Sequence, residues 1–173
     1  RIRIGHQRQT PVAYLNCNFM PPSGGKPGLL THSDVVTLFH EFGHTLHHVL
    51  TQIDYPSIAG INGVPWDAVE LPSQFMENFV WQREVLPLVS SHHETDEPLP
   101  PELFDRLLGL RVFQAGMQMV RQLEFSLFDI RIHSEYGNGK SMQETLDEVR
   151  DEVAVVPTAP FNRFANGFAH IFG

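Results

Sequence analysis

The chain of 173 residues is 42% hydrophobic and 18% charged, with a net charge of −8. That length and balance suit a folded globular domain and exclude a disordered or coiled-coil chain. The acidity speaks against a nucleic-acid partner or an anionic membrane surface, because either calls for clustered Lys and Arg.

Thr10 to Met20 reads as a strand, with apolar Val12, Tyr14 and Leu15. PPSGGKPG (21–28) follows as a loop. Thr31 and Asp34 have capping-box spacing, with Ser33 a rival cap, and introduce a helix to about Gln52. Within it Val35, Leu38, Phe39, Phe42, Leu46, Val49 and Leu50 recur at helical spacing. Residues 54–65 hold Pro56, Gly60, Gly63 and Pro65 and should form a loop. A second helix starts at Trp66-Asp67, or nearer Leu71 so that Pro72 falls in its first turn, and reaches about Trp81. Beyond a polar connection (90–101), one long helix is expected from Glu102 to Ser134, interrupted only at Gly109 and Gly116. Its Met117, Met119, Phe125 and Phe128 read as packing residues. Gly137 and Gly139 end it, and Ser141 with Glu144 caps a further helix to about Ala154. The tail from Pro157 is irregular. The fold class is mainly α, with a small β-element near the N-terminus.

Cys17 is the only cysteine, so no internal disulfide can form and a reducing, cytoplasmic setting is expected. No apolar run reaches the roughly 18 to 20 residues of a membrane span, so no membrane partner is expected. The start at Arg1 without Met, and the stop within the apolar FAHIFG, suggest a piece of a longer protein. Phe161, Phe164, Phe168 and Phe172 would then offer apolar surface for self-association.

The run HEFGH (40–44) carries the chemistry. His40 and His44 are four apart and project from one helix face, where two imidazoles can hold one Zn²⁺. Glu41 lies about 100° round the helix, beside the metal and not on it, as suits a base taking a proton from an activated water. The plainer alternative is a histidine-rich helix with hydrogen-bonded imidazoles. A catalytic zinc needs a third protein ligand and an open position. The extended HExxHxxGxxH pattern is excluded, because His47 and Leu50 stand where it needs Gly and His. Glu70, 26 residues after His44, is the favoured carboxylate, and Glu77 is a rival ligand or a partner behind one. His47 shares the ligand face and either tunes the site or packs in the core. His48, His92, His93 and His133 show no ligand partner at the required spacing. Residues 12–15 are candidates for an edge strand that pairs with an extended substrate.

FHEFGHTLHH (39–48) and GVPWDAVELPSQFMENFVW (63–81) together resemble the catalytic core of the thimet oligopeptidase family, most nearly its bacterial oligopeptidase A branch. PVAYLNCNF (11–19), RQLEFSLFDIRIHSEY (121–136) and FAHIFG extend the resemblance over nearly the whole chain. It implies a helical zinc-metallopeptidase catalytic core, with 1–173 as part of a single catalytic domain. It implies one Zn²⁺ per chain on His40, His44 and Glu70, Glu41 as general base, and Glu77 behind a ligand. His170 matches an active-site histidine that binds substrate or the developing oxyanion, whereas the family's following Tyr-rich loop has no counterpart here. The implied activity is hydrolysis of short peptides. A dipeptidyl carboxypeptidase, or a zinc-binding helical module without catalysis, are the alternatives.

Overall fold

The computed structural model describes residues 2–4 and 7–172, and side chains from Gln9 onward. It divides into two compact units, residues 1–105 and 106–173. In the first, strands β1 (Ile2–Ile4) and β2 (Gln7–Gln9) pair antiparallel, Ile2 opposite Gln9. This is the small β-element, but it precedes the segment expected to form it. Residues 10–20 form no ladder, since β-type composition makes a strand only where a neighbour takes its backbone hydrogen bonds.

Helix α1 (His32–Val49) starts where the capping box places it. The Thr31 hydroxyl accepts from the Asp34 amide at 3.2 Å, and the Asp34 carboxylate accepts from the Thr31 amide at 2.8 Å. The reciprocal bonds satisfy two of the amides that every helix start leaves unpaired. Short 3₁₀ turns (Pro56–Ile58 and Gly60–Gly63) fold the following loop back. Gly60 has φ +55°, and a Cβ there would lie 2.7 Å from His48 Nδ1, so this turn seats against α1 only with glycine. A 3₁₀ turn (Trp66–Ala68) then leads into α2 (Leu71–Glu77), which continues as a 3₁₀ turn to Trp81. Pro72 sits in the first turn of α2, where its missing N–H costs nothing. Helix α3 (Leu86–Val89) is a single turn that the sequence reading missed. Among the described residues, Ala59, Val69, Val80, Leu86 and Phe104 are the buried apolar side chains of this unit.

The expected long helix is two. Helix α4 (Pro101–Val112) ends two residues before Gln114, whose left-handed φ of 54° interrupts the chain before α5 (Ala115–Ser134). Gly109 and Gly116, the expected weak points, lie within helices. In the second unit α5 packs on α6 (Met142–Val153), which Ser141 and Glu144 cap reciprocally. Phe128, Leu146 and Ala165 form the core, with Ile132, Phe164, Phe168 and Ile171 packed against it. Phe125 stacks on Phe164 and Phe168, whereas Met117 and Met119 are exposed in this chain, contrary to the packing role expected of them. Phe164 and Phe168 therefore face their own core, and only Phe161 and Phe172 remain exposed of the four aromatics proposed for self-association.

A buried ion cluster joins α5 and α6. Arg150 Nε donates to Glu124 Oε1 at 2.8 Å, its Nη2 donates to Asn162 Oδ1 at 3.0 Å, and Arg121 pairs with the other Glu124 oxygen. Burial alone would raise the Glu124 carboxyl, but the two guanidinium groups more than offset it and hold it below its ordinary value. Among the described residues no helix is long and apolar enough to cross a membrane.

Candidate metal centre

The first unit brings His40, His44 and Glu70 together. One helical turn separates the histidines on α1, and their rings stand edge to face with centroids 5.0 Å apart. Glu70 is the residue before α2. Its Oε2 lies 3.1 Å from His40 Nε2 and 3.1 Å from His44 Nε2. Among the described residues this is the one cluster of three or more such groups able to hold a metal, with one ligand atom from each within 4.8 Å of the others. Two imidazole nitrogens and a carboxylate oxygen, half-open to solvent on the Glu70 side, fit the donor set of a three-ligand catalytic metal.

What lets α2 approach α1 this closely is Gly43, in the middle of HEFGH. It is buried, and a Cβ on it would lie 2.5 Å from the Pro72 carbonyl oxygen and 2.5 Å from Ser73 Cα. The signal was present in the sequence: a glycine inside a helix costs about 1 kcal/mol relative to alanine and asks for a packing reason. Ser73 sits at the crossing, fully buried, with its Oγ 2.7 Å from Glu70 Oε2 and 2.9 Å from the Glu70 carbonyl oxygen. The hydrogen bond from Ser73, more than the neighbouring histidines, holds the Glu70 carboxyl below its ordinary value, so Glu70 stays ionised.

Glu77 lies two turns beyond Glu70. Its Oε1 is 2.6 Å from His40 Nδ1, on the far side of the ring from Glu70. With Nδ1 engaged by Glu77, Nε2 is the ring nitrogen that His40 turns toward Glu70 and His44. His44 has no such brace; its Nδ1 is buried without a hydrogen-bond partner among the described residues.

Glu41 is not one of the three clustered groups. It lines a groove of about 260 Å³ with His44, Thr45, His48, Ile61 and the irregular segment Val12, Ala13 and Tyr14. Residues 12–14 thus flank the site, although not as a strand. The thiol of Cys17 is pushed up by burial and by the nearby Glu41 charge, which keeps it protonated and a poor nucleophile. His47 is not brought to the cluster; it lines a separate hollow with Leu46, Leu50, Ile53 and Ile58. His170 belongs to the second unit, exposed in the terminal 3₁₀ turn Ala169–Phe172. His133 does have a carboxylate partner, Asp129 one turn earlier at 2.9 Å, which the sequence reading overlooked.

Residues 2–173 match peptidase family M3. The chain belongs to that family. Oligopeptidase A of Salmonella typhimurium is 56% identical over 166 residues, covering 95% of this chain and 24% of the relative. Oligopeptidase A of Haemophilus influenzae is 55% identical over 166 residues, with the same shares. Dipeptidyl carboxypeptidase of Escherichia coli is 38% identical over 167 residues, covering 94% of this chain and 24% of the relative. The chain thus spans about a quarter of the length of these relatives.

Proposed function

We propose that the chain is the metal-binding part of a zinc-dependent oligopeptidase, residues 1–173 forming part of one catalytic domain that hydrolyses short peptides. The observation that carries the reading is the convergence of both imidazole Nε2 atoms on Glu70 Oε2, with Glu41 on the adjoining groove. His40, His44 and Glu70 would hold one Zn²⁺, whose imidazole and carboxylate donors suit its borderline softness. When bound, the metal supplies Lewis acidity, lowering the pKa of water and polarising a carbonyl.

The side chains do the rest. Glu41 accepts a proton from the attacking water and returns one to the leaving amine, acting first as base and then as acid. Its position one residue after His40 places the carboxylate beside the ligand face and not on it. Glu77 keeps His40 in the tautomer that ligates. A peptide lying along residues 12–14 would present its carbonyl beside Glu41. His170 is assigned to substrate or oxyanion binding by its match to the family's histidine, and His47 to packing beside α1. The expected setting is the cytoplasm. A dipeptidyl carboxypeptidase is the second reading, favoured by the 38% identity to that relative.

The test is Glu41→Gln in the full-length protein with a fluorescence-quenched peptide. Metal content should stay at one per chain while turnover falls by about three orders of magnitude or more. Normal turnover in that variant would remove Glu41 from the base role.

A further inference from the structure

The Ser73 hydroxyl is a candidate for more than helix packing. It is fully buried at the α1–α2 crossing, where Gly43 leaves room for it, and it aims at the Glu70 oxygen that both histidines face. Glu70 itself is half exposed and has three side-chain torsions, so nothing about its own burial confines it to one rotamer. We propose that Ser73 is a positioning residue that locks the Glu70 carboxylate into ligand geometry, and so sets the affinity of the site for its metal. The inference rests on the reading of Glu70 as the third ligand.

The competing role is local. The same hydroxyl lies 2.9 Å from the Glu70 carbonyl oxygen, a common way for serine to close a helix turn. It has a single hydrogen and can donate to one acceptor at a time. The carboxylate is both nearer, at 2.7 Å, and ionised, and charge-assisted bonds of this kind are about twice as strong as neutral ones. Burial keeps water from substituting for the hydroxyl. With one lone pair of Oε2 engaged by Ser73, the carboxylate is oriented and its remaining lone pairs stay available to a cation. This parallels what Glu77 does for His40, so each of two ligands is braced from behind.

The experiment is a Zn²⁺ competition titration against a chromophoric chelator, on purified full-length protein with Ser73→Ala, Ser73→Cys, Glu70→Ala and the Glu70→Ala/Ser73→Ala pair. Ser73→Ala should weaken zinc binding about 10- to 100-fold, the range seen when such bracing groups are lost, with unchanged circular dichroism. Ser73→Cys, which keeps the volume but donates weakly, should also lose at least about tenfold, and it decides the matter if the alanine variant does not fold. In the pair, loss of Ser73 should add less than about twofold to the effect of Glu70→Ala, because Ser73 acts through that carboxylate. Affinity within about threefold of the parent in the folded serine variants would overturn the proposal, as would losses that multiply in the pair. If Glu70→Ala alone left zinc binding unchanged, the ligand assignment would fail instead, a result the serine variants cannot mimic.

Discussion

Replacing Gly43 by alanine tests how the site is assembled. The added Cβ would lie 2.5 Å from the Pro72 carbonyl oxygen and from Ser73 Cα, where ordinary contact starts at 3.4 Å, so α1 and α2 must part by 3.4 − 2.5 = 0.9 Å. Both obstructing atoms are backbone and cannot swing aside. Overpacking of this kind costs about 1–3 kcal/mol, and the helix preference for alanine returns about 1 kcal/mol, leaving a net loss of up to roughly 2 kcal/mol. The effect on metal should be larger. Metal–ligand distances tolerate only about 0.2 Å, so a shift of 0.9 Å between the element carrying the histidines and the element carrying Glu70 should weaken binding at least tenfold. Urea melts of the metal-free protein and a chelator competition would read the two effects separately. Gly109→Ala is the control: nothing lies within 4 Å of its added methyl, so it should stabilise the protein by about 0.5–1 kcal/mol. If Gly43→Ala behaved like Gly109→Ala, gaining stability and keeping its metal, the close crossing would not be what forms the site.

On the proposed ligand set Glu77 braces His40 and does not ligate, so Glu77→Gln should retain one metal per chain but bind it about 10- to 100-fold more weakly, by the same competition assay. Complete loss of metal in that variant would make Glu77 a ligand. Glu124→Ala should cost about 3–5 kcal/mol in a denaturant melt, because it leaves Arg150 charged and buried. Acid should act on the same cluster. The folded Glu124 carboxyl lies below its ordinary value of 4.5, so its contribution is complete above that pH and is lost as pH falls through the lower folded value. Melts of parent and Glu124→Gln over this window should therefore converge on acidification.

Local rules were enough for the helix starts. Thr31 and Ser141 each stand three residues before an acid, and both form the reciprocal cap, because that motif needs only its own backbone. The division between α4 and α5 was not legible, since Gln114 adopts a left-handed conformation with neither Gly nor Pro to announce it. The strand at 10–20 failed for the complementary reason: its residue types suit a sheet, but β1 and β2 pair with each other and offer it no partner. At the candidate site, His40 and His44 follow from helical periodicity alone. The choice between Glu70 and Glu77 did not, because both lie on one face two turns apart, and only the position of α2 against α1 shows which carboxylate meets Nε2 and which meets Nδ1. Ser73 carried no signal of its own, since a serine in the first turn of a helix is ordinary.

The central claim is that His40, His44 and Glu70 hold a single zinc ion. An anomalous-difference map from a crystal of the full-length protein, collected above and below the zinc absorption edge, tests it most directly. One peak per chain should appear within about 2.0–2.2 Å of both Nε2 atoms and a Glu70 oxygen. A crystal grown with zinc that shows no peak there, or a peak coordinated by Glu77 in place of Glu70, would contradict the account.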